Sequence, residues 1–195
     1  MPDSSISISS IACIGLGSNL GDRMAYLQAA VRALGRLGKI LAVSSVYETA
    51  PVGLEEQPAF LNAAVQLSTM LAPEALLLEL LAIERSQGRD RSQAIDASLL
   101  RETLRGGPRT LDLDLLLYED RILATPQLIL PHPALHQRRF VLAPLAEIAP
   151  ALRHPVLDRA LQQLLEALPD VGANRIAAVH RVGYLQGSEP LKFHS

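Results

Sequence analysis

With 195 residues, 49% of them apolar, the chain has the length and hydrophobic content of one globular domain with a sizeable core. Its net charge of -2 excludes a global basic field, so a nucleic-acid partner would need a local patch, and none is expected. Cys13 is the only cysteine, which rules out an internal disulfide framework and a cysteine-rich zinc site and suits a reducing compartment, the cytoplasm. The first residues carry no positive charge ahead of an apolar run, and the longest apolar stretches, such as Leu76 to Ile83, are interrupted by Glu79. Neither a secretory signal nor a membrane span is expected.

In chain order, Ile11 to Leu16 is a compact apolar run ending in glycines, which predicts a strand; Ser18, Asn19 and Asp22 then offer capping side chains for a helix. Leu27, Val31 and Leu34 recur on one helical face, with Gly38 as a stop. Ile40 to Tyr47 alternates and is rich in β-branched residues, a second strand. Pro51, Gly53 and Pro58 make Glu48 to Ala59 a loop, and Phe60 to Ser68 is a third strand. Pro73 opens a second helix whose apolar face holds Leu76, Leu80 and Ile83, with Gly88 as terminator. Gln87 to Pro108 is polar and arginine-rich, a long mobile loop with room for a helical turn around Ala94 to Leu104. Thr110 to Leu117 is the fourth strand. Short extended pieces follow in Arg121 to Leu130, then helices in Arg138 to Ile148 and Asp158 to Leu168. Arg175 to Val182 has weak strand character and the last dozen residues read as a loose tail. Strand, helix, strand, strand, helix, strand is the ferredoxin-like βαββαβ order, so the expected class is α+β. The expected architecture is an antiparallel sheet flanked by helices in an αβα sandwich. Residues 1–169 form the expected catalytic domain and 170–195 an extension of unassigned role.

The chemistry concentrates around Asp112 and Asp114, which alternate with Leu111, Leu113 and Leu115. A period of two puts both carboxylates on one face of a strand and the leucines on the other. Two such charges roughly 7 Å apart repel. A magnesium ion, which takes one or two carboxylates plus waters and phosphates, removes that problem; so does a solvated face paired with arginines, and the short pattern alone does not choose. Arg85, Arg89, Arg91, Arg101, Arg105 and Arg109 precede the pair and suit polyphosphate oxygens, although each singly also reads as a partner for Glu84, Asp90, Asp96 or Glu102. Gly15 to Gly21 joins a strand to a helix but lacks the spacing of a dinucleotide fingerprint and the Gly-Lys-Ser/Thr of a P-loop, so it reads as a tight turn capped by Asn19 or Asp22. His132 stands between two prolines, which hold its ring in place; it serves either as packing or as a donor to phosphate. The other histidines give no zinc-ligand spacing with it. Phe60 and Phe140 are core residues or a stacking pair, and Asn62, on the same strand face as Phe60, adds an amide able to read a flat heterocycle.

Five segments in order resemble one family, the 6-hydroxymethyl-7,8-dihydropterin pyrophosphokinases of folate biosynthesis, from about Ile11 to Pro169. They are Gly15-Leu-Gly-Ser-Asn-Leu-Gly21, Tyr47-Glu-Thr-Ala-Pro-Val-Gly53, Phe60-Leu-Asn-Ala-Ala64, Gly107-Pro-Arg-Thr-Leu-Asp-Leu-Asp114, and Leu130-Pro-His-Pro133 with Arg138-Arg-Phe-Val-Leu142. The resemblance implies transfer of pyrophosphate from ATP to the pterin hydroxymethyl group, giving AMP, with two Mg2+ held by Asp112 and Asp114. It implies that Arg91 and Arg109 neutralise the phosphates and that Glu84, Leu115, His132 and Arg138 lie by the nucleotide. It further implies that Phe60 and Phe140 sandwich the pterin, with Asn62, Thr49, Val52 and Gly53 at its edge. The chain departs from the family pattern at Gly106, where an aromatic is usual, at Gln127, where some members have an arginine, and in the length between Arg89 and Arg109. The expected partners are ATP and the pterin, with no nucleic acid or membrane, and the expected form is a monomer. The rival readings are a magnesium-dependent nucleotidyltransferase, which would release pyrophosphate instead of AMP, and a non-catalytic ligand-binding module.

Overall fold

The computed structural model describes residues 9–50, 57–88, 108–175 and 179–185. Strand β1 (Ser10–Ser18) is followed by helix α1 (Arg23–Leu34), β2 (Gly38–Val43), β3 (Ser45–Thr49), β4 (Phe60–Thr69), α2 (Pro73–Ser86) and β5 (Asp112–Tyr118). After a two-residue pair, β6 (Leu123–Ala124) and β7 (Ile129–Leu130), come α3 (Arg139–Ile148), the pair β8 (Arg153–His154) and β9 (Arg159–Ala160), α4 (Leu161–Glu166) and β10 (Val179–Tyr184). The main sheet runs β10-β3-β4-β1-β5 with β2 also on β4, and every pairing in it is antiparallel. The α+β, ferredoxin-like sandwich expected from the element order is what forms.

Strand alternation divides the core into two layers. Ala12, Ile14 and Leu16 of β1 and Leu113 and Leu115 of β5 face α1 and α2, where they bury Leu27, Leu34, Leu76, Leu80 and Ile83. On the other face Cys13, Ala64, Leu116 and Leu117 pack under Val141, Leu142 and Leu145 of α3 and Leu161 and Leu164 of α4. Burial pushes the Cys13 thiol up to about 12, with Glu119 adding to it, so the cysteine is an inert part of this core.

Several local expectations shift for identifiable reasons. The single strand expected over Ile40 to Tyr47 is two, because Ser44 interrupts it: its buried hydroxyl accepts from Ala64 N at 2.8 Å, and the register on β4 slips between Ile40 and Ala42. β2 and β3 therefore lie end to end along β4, on Val65–Thr69 and Phe60–Asn62. Asp22 caps α1 as expected, its Oδ1 accepting from Ala25 N at 3.0 Å, but Asn19 does not. Gly38 does not stop α1, which ends at Leu34; it opens β2 at a point where an added Cβ would lie 2.2 Å from the Ser68 carbonyl oxygen. The weak strand near the C-terminus is β10, an edge strand against β3. The expected mobile loop with its helical turn falls at 89–107, outside the described residues. No helix among the described residues is long and apolar enough to cross a membrane.

Because the atom crowding Gly38 is backbone and cannot rotate away, Gly38→Ala should lower the unfolding free energy by about 1–3 kcal/mol, the range of overpacked sites. Urea unfolding measures it, and an unchanged midpoint would show that β2 can shift at no cost.

Candidate active site

A cavity of about 370 Å³ opens where the C-terminal end of β1 and the start of β5 meet the N-terminus of α3. Its lining includes Thr49, Phe60, Asn62, Arg109, Asp112, Asp114, Leu115, His132, Arg138 and Phe140, so most of the residues singled out from the sequence converge on one space. Arg91, Val52 and Gly53 lie outside the described residues, as does Gly106.

The floor is the β1–β5 ladder. Gly15 pairs with Asp114 and Gly17 with Asp112, so each carboxylate has a residue without a side chain beside it. An added Cβ at Gly17 would lie 3.4 Å from Asn62 Oδ1 and 3.7 Å from the Asp112 Cβ, in the space between the amide and the carboxylate. Gly17 thus leaves room beside Asp112 that the turn reading missed, whereas an added Cβ at Gly15 would meet the Leu116 side chain at 3.3 Å; the available signal was two glycines at a spacing of two inside a strand.

Asp112 accepts from Arg109 Nη1 at 2.6 Å. Asp114 has its carboxyl pushed up to about 7, first by burial, then by the Asp112 charge and also by Glu84, against the opposing pull of Arg109 and Arg138. The two arginines therefore do not compensate the pair fully. Among the described residues no cluster of three or more His, Cys, Asp or Glu side chains can hold a metal ion. Two carboxylates with residual repulsion, and no further cluster of ligands among the described residues, is a donor set magnesium accepts when waters and phosphates complete its shell. The residues present fit that ion.

Arg109 is held by its backbone. Its N–H donates to Asn19 Oδ1 at 2.7 Å, and its carbonyl accepts from Asn19 N at 3.0 Å and Leu20 N at 3.3 Å. The same Asn19 donates from Nδ2 to Gln57 Oε1 and to the Pro58 carbonyl, so one buried amide fixes both the approach to β5 and the approach to β4. With its backbone anchored, the Arg109 guanidinium lies 5.4 Å from the centroid of Phe60, while its Nε is buried without a hydrogen-bond partner. Arg138 stands 5.6 Å from the centroid of Phe140 in the same manner. Each aromatic of the pair thus carries a site cation over its face.

Glu84 is placed differently from the other site residues. It is 1% exposed, does not line the cavity, and accepts from Leu113 N at 2.8 Å, so it braces β5 from behind. His132 covers the same strand edge further along, its N–H donating to the Leu116 carbonyl at 2.9 Å. Its Nδ1 accepts from Ala134 N at 3.2 Å, which puts the proton of the neutral ring on Nε2. Asn62, 6% exposed, donates to Thr49 Oγ1 at 2.8 Å, fixing the amide beside Phe60. Gln127 lines the cavity together with Leu77, Leu81, Leu128 and Ile129, an apolar side at which one amide is the polar group.

An antiparallel α+β sandwich whose cavity brings together paired carboxylates, arginines and two aromatic rings is built as a phosphate-transferring enzyme for a flat acceptor. Residues 13–150 match the model of the 7,8-dihydro-6-hydroxymethylpterin-pyrophosphokinase (HPPK) family, and the chain belongs to that family. It is 48% identical over 143 residues to the 2-amino-4-hydroxy-6-hydroxymethyldihydropteridine pyrophosphokinase of Bacillus subtilis, covering 72% of this chain and 79% of the relative. The Pseudomonas aeruginosa enzyme of the same name is 44% identical over 165 residues, covering 84% of this chain and 94% of the relative. Among solved structures, wild-type HPPK-DHPS from Plasmodium falciparum is similar in fold, with a TM-score of 0.60 at 17% identity over 80% of this chain. This chain spans 44% of that one.

Asn19→Ala should orphan the Arg109 N–H and cost about 1–3 kcal/mol, the usual penalty for a buried group left unpaired. Faster hydrogen exchange at the Arg109 amide is the expected local readout; unchanged exchange there would mean that the loop end is held by other contacts.

Proposed function

We propose that the cavity is where this chain transfers the pyrophosphoryl group of ATP to the hydroxymethyl oxygen of 6-hydroxymethyl-7,8-dihydropterin, giving AMP and the pterin diphosphate for folate biosynthesis. The family supplies the reaction; the gathering of paired carboxylates, arginines and an aromatic pair on one cavity supports the roles of individual residues. In the transfer the acceptor oxygen bonds to the β-phosphorus and the bond from that phosphorus to the α-bridging oxygen breaks, so AMP leaves with the bridging oxygen.

Asp112 and Asp114 hold two magnesium ions in this reading, and the bound metal supplies neutralisation of the polyphosphate charge. Arg109, together with Arg91, binds phosphate oxygens, for which the unpartnered Arg109 Nε is a ready donor. His132 donates from Nε2 and Arg138 adds a second cation, with Leu115 at the nucleotide's apolar side. Glu84 serves the nucleotide end indirectly, by fixing the Leu113 backbone between the two aspartates. Phe60 and Phe140 stack on the pterin, while Thr49, Val52, Gly53 and Asn62 contact its edge. With no bond formed to the protein, positioning and electrostatics carry the rate. The proposed form is a monomer and the proposed location the cytoplasm, and neither nucleic acid nor membrane is a proposed partner. Residues 1–169 are the proposed catalytic domain, and 170–195 an extension that lays Val179–Tyr184 along β3.

Magnesium, ATP and the hydroxymethylpterin mixed with the protein are expected to yield AMP, and chelation of the metal to stop the reaction. Asp112→Ala or Asp114→Ala should reduce kcat by about a thousandfold or more, the scale on which charge-stabilising groups act. Release of pyrophosphate in place of AMP would identify a nucleotidyltransferase, and no turnover by the wild-type protein would refute the assignment.

A further inference from the structure

Glu147, two turns along α3 from Phe140, is outside the cavity and carries no role in the reaction as described so far. Its carboxylate nevertheless gathers hydrogen bonds from two strands. Oε1 accepts from Ser45 Oγ at 2.7 Å and from Arg181 Nη2 at 3.0 Å, and Oε2 accepts from the Tyr47 hydroxyl at 2.8 Å. The Ser45 N–H donates to the same carboxylate at 3.2 and 3.3 Å. Three elements, α3, β3 and β10, meet on this one group.

The geometry relates that node to the cavity. Ser45, Tyr47 and Thr49 share one face of β3, because side chains alternate along a strand, and the intervening Val46 belongs to the opposite core layer. The row therefore starts at Glu147 and ends at Thr49, on the cavity wall, where Thr49 pairs with Phe60 and holds Asn62. On α3, seven residues separate Glu147 from Phe140, two helical turns or about 10 Å on one face. The helix thus starts at the cavity, at Phe140, and runs back to the same anchor. Pro144 lies between the two and removes the ladder bond that would tie its position to the Phe140 carbonyl, which leaves more of the helix's seating to side chains. Burial, then the bond to Glu147, pushes the Tyr47 hydroxyl up to about 12, so this donor stays protonated at any working pH.

We infer that Glu147 is a positioning residue for the acceptor end of the cavity: by clamping α3 to Ser45 and Tyr47 it sets the separation of Phe140 from Phe60, Thr49 and Asn62, and so the width of the slot that takes the flat heterocycle. The inference rests on the proposed placement of the pterin between the two phenylalanines. Arg181 extends the clamp to β10, giving the C-terminal strand a share in holding the slot. Most of the phosphate end rests on β1, β5 and the Asn19 clamp, none of which Glu147 touches; only Arg138, the cap of α3, is shared, so the effect on ATP is predicted to be much smaller than on the pterin.

Glu147→Ala in the full chain should raise KM for the pterin about tenfold or more, within the range for groups displaced by an ångström or less, while KM for ATP stays within about twofold. Tyr47→Phe, which deletes one hydroxyl and keeps the ring, should raise the pterin KM by a smaller factor in the same direction, and Glu147→Gln, able to accept from Ser45, should restore part of the loss. Wild-type AMP formation tests the reaction independently of these variants. Equal rises in both KM values, or a fall in thermal stability with both KM values unchanged, would overturn the positioning role. Should Glu147→Ala fail to fold, an unchanged pterin KM in folded Tyr47→Phe and Glu147→Gln would overturn it equally.

Discussion

Two carboxylates two residues apart on a sheet-edge strand repel each other, and most of the site is arranged around keeping them there. Asp114 stays well above the usual carboxylate range because it is buried beside Asp112 and has Glu84 behind it. An unbraced edge strand would relieve that repulsion by twisting or slipping. Here β5 pairs with β1 on one side, while Glu84 takes the Leu113 N–H and His132 the Leu116 carbonyl on its other edge. Those contacts also blunt an edge that would otherwise offer its backbone to another chain. A like-charge pair in a braced strand is a site that a divalent cation would stabilise without movement of the strand, which is the meaning of preorganisation in phosphate chemistry.

How far this could be read beforehand depended on the range of the interaction involved. The alternation of Asp112 and Asp114 with leucines has a two-residue period, and both the strand and its two faces followed from it directly. Hydrophobic spacing likewise located α1, α2 and α3 to within a few residues. Readings failed where a residue's partner is distant in sequence. Asn19 looks like a helix cap beside Ser18 and Asp22, yet its partner is Arg109, ninety residues on. Gly38 looks like a helix stop, but its lack of a side chain answers to the Ser68 carbonyl across the sheet. Ser44 splits a β-branched run by binding Ala64, and nothing local marks it. β10 showed only weak strand character because its residues are exposed or half-buried on both faces, so no apolar alternation is imposed on it.

The site residues followed the same rule. The family resemblance brought together Phe60, Asn62, His132, Arg138 and Phe140, which no spacing argument would have joined, and the fold collects them on one cavity. Glu84 shows the limit of such a transfer: it does not line the cavity, and its Oε1 accepts from the Leu113 backbone. Gly15 and Gly17 lie in a segment that reads locally as a turn between a strand and a helix. Only the register shows that they pair with the two aspartates.

Arg109 joins the two ends of the cavity. Its backbone is gripped by Asn19 and Leu20, so the motion left to it is that of the side chain, which bonds Asp112 and lies over Phe60. Both contacts occupy groups to which the proposed reaction gives other partners, the Asp112 carboxylate for metal and the Phe60 face for the acceptor. Binding polyphosphate would draw the guanidinium from both at once, since phosphate offers bidentate acceptors with more charge than a single carboxylate. The cost of leaving Asp112 would then be offset by the metal that takes its place, and the cost of leaving Phe60 by the stacked acceptor. One side chain exchanging partners in this way would link filling of the phosphate end to filling of the aromatic end through local contacts alone, with no change in the sheet beneath.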